Sequence, residues 1–410
     1  MIHCLLLLLC VTVSSWGSNW KHHFELHQEI RSFNNDQSPF TRDNSYSIKL
    51  HNRSKWKHNR WSANFSKLLR RDPSDHRDSY LIQELWIRKD FDNFSITAGS
   101  QIHDWTALEA FHPADVINAR NLDSDFERPE KIGEWMLNLE IPDEESVWNL
   151  YYMPHLQTQM FPKINSRLNP LRTSIVNIQI MDSSSNLIPE QKVEQFGIRY
   201  ETSRDDLDYS FHYLNHYDRQ NSVLFTQNNM NNTHVGLPKV EQIGGTLVSI
   251  FDDSSFKLEW AYRNYSNKIQ HNLPSNKVLD HASIAAGLEF PRQLNHGAEI
   301  IYLVELQTLV GPSSQERAQM NIFQRDLLLG ARFARNDIQG TQITGSMIFD
   351  LERSKEILSQ LSFSRRINDM QKYQLGLRYI DAPPKVSLDT SGLKPFHNDF
   401  QITGSLIHYF

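Results

Sequence analysis

The residues most able to do chemistry in this 410-residue chain are its 18 histidines and its two cysteines. His212 and His216 stand four apart, the spacing at which two imidazoles on a helix share a metal ion. They fall, however, inside an alternating segment, Tyr209–Tyr217. At ~3.3 Å per residue on a strand they would lie roughly 13 Å apart, too far for one ion. No His-Glu-x-x-His pair, no Gly-x-Ser-x-Gly elbow and no phosphate-cradling Gly-rich loop occurs. His22, His23 and His281 read as isolated polar groups. Cys4 and Cys10 both sit in the first ten residues. The remainder therefore carries no thiol nucleophile, disulfide framework or cysteine metal site. The sequence predicts no metal site, no cofactor and no enzyme, although a hydrolase whose Ser, His and Asp converge from distant loops at a barrel rim would leave no local motif.

Cys4–Val13 is an unbroken apolar run, followed by Ser14, Ser15, Trp16 and Gly17. A short apolar core ahead of small residues is the pattern of a secretory signal peptide, expected here over residues 1–17 with cleavage after Ser15 or Gly17. The run is shorter than the ~20 residues a membrane-spanning helix needs, and no later stretch is long enough either. A net charge of −6 argues against nucleic acid as a partner. No linker, charge block or low-complexity tract divides residues 18–410, so one large architecture is expected.

The elements that must position any site are strands. Leu327, Leu329, Ala331 and Phe333 alternate with Asp326, Gly330, Arg332 and Ala334, and Ile343, Gly345, Met347 and Phe349 with Thr344, Ser346 and Asp350. Leu361 and Phe363 oppose Gln360 and Ser362, and Leu375 and Leu377 oppose Gln374 and Arg378. The same pattern recurs upstream. Phe256, Leu258, Trp260 and Tyr262 face away from Lys257, Glu259 and Arg263, Phe196, Ile198 and Tyr200 from Arg199 and Glu201, and Tyr302 and Val304 from Glu299 and Glu305. Because a strand inverts its side chains at every residue, each segment has one apolar and one wet face. Aromatics cluster at segment ends, and ion-capable groups repeat on the polar faces. The fold class that follows is all-β: a transmembrane antiparallel up-and-down barrel, apolar toward lipid, with roughly 14–18 strands because bacterial barrels use even numbers. A soluble sandwich or propeller is the alternative, since half-buried sheets also alternate.

Residues 96–142 break the pattern. A strand runs to Gln101, a short helical piece is expected over Trp105–Phe111, and alternation resumes at Gly133. Gly99, Gln101, Trp105, Pro113, Asp115, Val116, Asn118, Arg120, Ile132, Gly133 and Trp135 together resemble a motif of porin-like, alginate-export-like outer-membrane barrels of Gram-negative bacteria. Ser100 and Ala119 stand where Arg and Pro are usual. The resemblance implies an outer-membrane barrel with residues 102–132 folded inward as a lumenal loop. Gln101, Trp105, Asp115, Asn118, Arg120 and Arg128 become candidates for a constriction, or for a polar network that pins the loop to the wall. Arg199, Glu201, Lys257, Glu259, Arg263, Glu299, Glu305, Arg332, Asp350 and Arg378 are the lumen-wall candidates.

The last segment, His397–Phe410, alternates and stops at an aromatic, and resembles the C-terminal strand by which the barrel-assembly machinery recognises its clients. Outer-membrane lipid and that machinery, through the Phe410 strand, are the expected partners. A channel or export conduit for small polar or anionic solutes is the expected function. A barrel-borne hydrolase and a non-conducting structural barrel are the alternatives.

Overall fold

The computed structural model describes residues 19–34, 44–73, 77–125, 128–164, 166–169, 174–181, 187–188, 192–226, 232–266, 278–353, 355–384 and 392–410. The expected signal peptide, with both cysteines, lies outside them. Eighteen antiparallel strands form one sheet that closes on itself. They are β1 (Trp20–Phe33), β2 (Asn44–His58), β3 (Trp61–Arg71), β4 (Ser79–Asp90), β5 (Ser95–Gln101), β6 (Glu134–Asp143), β7 (Ser146–Met153), β8 (Gln195–Arg204) and β9 (Leu207–Tyr217). The second half comprises β10 (Lys239–Phe251), β11 (Ser254–Tyr265), β12 (His281–Gln293), β13 (Glu299–Val310), β14 (Arg325–Ala334), β15 (Gln342–Asp350), β16 (Ile357–Asn368), β17 (Gln371–Asp381) and β18 (Phe400–Tyr409). Each strand pairs with its neighbours in sequence, and β1 pairs with β18 through Glu25↔Tyr409 to Phe33↔Gln401, which removes both edges. Closure matters because an open edge in hydrocarbon would leave backbone groups without partners.

The apolar stripes face outward, as the alternation requires. Leu329, Met347, Leu361, Leu377 and Ile402 are each 40–46% exposed and lie side by side on neighbouring strands. Their sequence neighbours Arg332 and Arg378 point inside. The two ends of the barrel differ. At one end the hairpins are tight, and Asn59, Asp205 and Asp252 take left-handed φ of 52°, which Asn and Asp tolerate better than other side chains. At the other end the connections are long. Short turns at one rim and long loops at the other are the habit of outer-membrane barrels. Aromatics gather outside the short-turn rim: Trp148 lies 4.8 Å from Tyr200, Tyr200 lies 6.2 Å from Tyr209, and Trp20 lies 6.3 Å from Trp56.

Long-loop segments fill one end of the interior. One, between β5 and β6, carries a small hairpin in which Ala119–Asn121 pairs with Glu130–Ile132. A second unit is a four-stranded sheet in which Ser174–Met181 runs parallel to Asn232–Leu237, flanked by Leu187–Ile188 and Val223–Thr226. It packs on Leu156, Ile180, Val235 and Leu237. A short helix, α1 (Ser314–Met320), caps the β13–β14 connection. Ser313 and Glu316 satisfy each other's backbone groups at its start.

Two expectations are corrected here. Trp105–Phe111 is not helical but irregular, with bends at Leu108–Ala110, for a reason that lies in its partners. The inner faces are also not uniformly wet. Leu303, Leu328, Ile348, Leu358 and Ile380 point inward and are 1–5% exposed.

Candidate functional site

The loop between β5 and β6 enters the lumen through two glycines. Gly99 has φ +127°, and a Cβ there would sit 2.1 Å from the Leu85 carbonyl oxygen. A Cβ on Gly133 would sit 2.1 Å from the Gln83 carbonyl oxygen. Both ends of the loop therefore lie flat against β4, which only a residue without a side chain permits.

Between these ends the loop is latched to the opposite wall by carboxylates. Glu259 on β11 accepts the amides of Ala107 and Leu108 at 2.6 and 2.9 Å. Glu305 on β13 accepts those of Glu109 and Ala110 at 2.6 and 3.0 Å. Four consecutive amides are thus satisfied by the wall instead of by carbonyls a turn earlier. This is why no helix forms over Trp105–Phe111. Hydrogen bonds to an ionised acceptor contribute roughly 1.5–3 kcal/mol each. Glu109 itself meets Arg332 on β14 at 2.5 Å and Arg128 at 3.0 Å. Burial acts to raise the Glu109 carboxyl, but Arg332 and Arg128 hold it below the usual carboxylate range.

An apolar contact completes the seating. Leu108 and Phe111, 5% and 2% exposed, pack on the inward Leu303, Leu328, Ile348, Leu358 and Ile380. Burying two such side chains contributes about 1.5–3 kcal/mol apiece. This patch and the Glu109 pairing escaped the sequence reading. The visible signal was the loss of alternation in Leu327-Leu328-Leu329 and Met347-Ile348-Phe349, where both faces are apolar.

Five of the six loop candidates from the sequence gather on the side of β5–β9, and Arg128 lies instead with Glu109 near β14. Asp115 accepts from Arg120 at 2.5 Å and pairs with Lys131 at 2.7 Å. Asn118 accepts the His103 amide at 2.8 Å and donates to the carbonyls of Gln101 and Ile132 at 2.8 and 3.1 Å. Gln101 donates to the carbonyls of Thr97 and Met136. Trp105 is buried against Tyr151 and His212, and the Arg199 guanidinium sits 4.9 Å above its ring. Arg128 alone of this group is mostly exposed.

The wall candidates divide three ways. Glu259, Glu305, Arg332, Arg199 and Arg263 all touch the loop. Arg263 donates to the Pro113 carbonyl at 3.3 Å and to Gln220 at 2.8 Å. Arg378 donates to Gln401 at 2.6 Å and approaches Asp125 of the loop at 4.0 Å. The remaining four stand apart from the loop. Lys257 pairs with Glu289 at 2.5 Å, Glu201 with Arg199 at 3.2 Å, Glu299 accepts from Gln293 at 2.9 Å, and Asp350 caps the turn at Glu352 and Arg353.

The loop's own hairpin adds a buried acid. Asp123 accepts from Ser166 at 2.6 Å, and burial pushes its carboxyl up to about 6 against that bond and the nearby Arg77. Glu130 ties the same hairpin to Lys49 on β2 at 3.0 Å and Arg70 on β3 at 3.3 Å.

No protein-family description matches the chain, and no curated protein does either. Solved structures do. Pseudomonas aeruginosa OccK11 (OpdR) aligns over 95% of this chain and 96% of its own, with a TM-score of 0.55 at 7% identity. OccK3 (OpdO) from the same organism covers 95% of both chains with a TM-score of 0.54 at 10% identity. OccK5 (OpdH) covers 96% of this chain and 98% of its own with a TM-score of 0.53 at 8% identity. None of the three is an alginate-export channel, and the grouping that the 96–142 motif suggested gains no support from them. At such low identity the likeness is one of architecture, and the architecture is that of a porin-like closed barrel.

Proposed function

We propose that this chain is an outer-membrane channel for small polar solutes, with residues 102–132 as a fixed constriction folded into its lumen. The observation that carries the reading is the seating of that loop. Four successive amides are held by Glu259 and Glu305, and its apolar corner by Leu108 and Phe111, inside a closed eighteen-stranded wall. A pore narrowed by an anchored polar loop passes solutes by size and by the groups left facing water. The likeness to the OccK structures supports the fold on which the reading depends. Small anionic solutes fall within what such a pore would admit, at a lower rate than neutral ones. Export by the 1–17 signal peptide, lipid as the surrounding medium and delivery to the assembly machinery through the Phe410 strand belong to the same proposal. The reading assigns no catalytic step.

The density of contacts around the loop favours one alternative, a barrel sealed at its long-loop end. Single-channel recording in planar bilayers separates the two. Discrete, ohmic current steps from refolded protein are the expected result. A protein that shows the barrel's heat-modifiable gel mobility yet carries no current would leave the sealed barrel in its place.

A further inference from the structure

We infer that the open side of the lumen, between β15 and β1, is built for uncharged polyhydroxylated solutes, with simple sugars as the chemical class. The inference rests on the channel reading and names what such a channel would prefer.

Besides Phe363, Leu375 and Lys372, the cavity there is lined by two tiers of side chains that follow the strand register. The first runs Gln342, Ser364, Gln374, Ser405 and ends at Glu29. The second runs Thr344, Ser362, Gly376 and Thr403. Apart from its terminal Glu29, every side chain in the two tiers is a hydroxyl or a primary amide, able to donate and accept. All are half-buried or exposed. Adjacent strands set neighbours within a tier about 4.8 Å apart, and two residues along a strand set the tiers about 6.7 Å apart. Neighbouring hydroxyls of one sugar ring can therefore reach side chains of adjacent strands together. Gly376 leaves a notch in the middle of the second tier, where an added Cβ would meet nothing closer than Thr403 Cβ at 3.7 Å.

The charges around this face are already matched. Glu29 is held by Arg31 at 2.8 Å and Arg77 at 3.5 Å. Arg77 also meets Asp72 at 2.7 Å, Arg332 meets Glu109, and Arg378 stands within 4.0 Å of Asp125 and Asp399. Among the described residues the cations left on this face are Lys372, which lines the cavity, and its cross-strand partner Arg366, both near the short-turn rim. Beyond that rim pair, a carboxylate solute would have to displace protein carboxylates to find an arginine. A neutral hydroxyl solute exchanges water hydrogen bonds for wall hydrogen bonds with no such competition.

Vesicle swelling with the refolded protein tests this. Glucose and glucuronate share one ring and differ in a hydroxymethyl against a carboxylate. Glucose is expected to enter at least about threefold faster. Ser362→Lys with Thr403→Lys, flanking the notch, is expected to shift that ratio toward glucuronate by a similar factor. Ser362→Trp is expected to slow glucose, with gel mobility confirming that each variant folds. Equal rates for the two solutes, or a ratio that the lysine pair leaves unmoved, overturn the inference while leaving a conducting channel. Folded protein that carries no current and swells no vesicle overturns the channel reading itself.

Discussion

The β11–β13 wall and the β15–β1 wall share one alternating pattern and differ in what their inward residues do. On the first, Glu259, Arg263 and Glu305 are 0–2% exposed and bonded to the loop or its neighbours. On the second, Ser362, Ser364, Gln374 and Ser405 stand open to the lumen. Buried charge on the β11–β13 wall therefore marks where the loop is fastened, and the β15–β1 wall presents mostly uncharged polar groups to the lumen. An ionised group can be buried only with partners, and the loop's amides supply them.

The contrast breaks most severely at the latch. Glu259→Ala with Glu305→Ala leaves four amides without acceptors, a loss of up to roughly 6–12 kcal/mol in loop seating. Hydrogen exchange at residues 107–110 should lose its protection, and single-channel conductance should rise. Glu259→Gln with Glu305→Gln keeps acceptors in place and should do less. Unchanged exchange in the alanine pair would mean that the wall charges are not the latch.

Phe111→Ala comes next. Removing a ring that is 2% exposed costs about 3 kcal/mol, and the same amides should exchange faster with no change in the wall's charges. If exchange at 107–110 stays as slow as in the parent, the inward leucines and isoleucines contribute little.

A pH series sharpens the picture at the small hairpin. The Asp123 carboxyl sits at about 6 when the hairpin is docked and near 4 when it is free. Between those values the docked form holds the extra proton, so docking weakens as pH rises through that window. Asp123→Asn should abolish the slope and strengthen docking at neutral pH by an amount on the order of 2 kcal/mol. Limited proteolysis of residues 119–132 between pH 4 and 7 reads it, and a slope that survives the substitution assigns the titration elsewhere. The smallest effect belongs to Arg128→Ala. Its pair with Glu109 is mostly exposed and contributes less than about 0.5 kcal/mol, so conductance and exchange should barely move.

Much of the barrel was legible from period-two alternation alone. Leu329 and Leu377 face outward and Arg332 and Arg378 inward, and the eighteen strands fall at the upper end of the expected range. The candidate residues were harder to place, because a polar residue on an inward face can line water or hold a loop. Nothing local tells Glu259 from Gln374. The difference is set by amides more than 150 residues away in sequence. The inward patch at Leu328, Ile348, Leu358 and Ile380 did leave a trace, since unbroken apolar runs inside an alternating chain mean that both faces are dry. The separate four-stranded sheet was not readable, because its segments are only two to eight residues long.

The seam between β1 and β18 has a consequence for how the molecule is made. Residues separated by nearly the whole chain must find each other before either end strand has a second partner. Contacts that distant form slowly, since most of the chain's freedom is lost before they are gained. Until they form, two rows of amides and carbonyls face outward, each costing several kcal/mol if it meets lipid. An intermediate with seventeen strands in place is thus as unfit for the membrane as one with two. Insertion has to wait for the zip to close, or proceed where something else covers the gap.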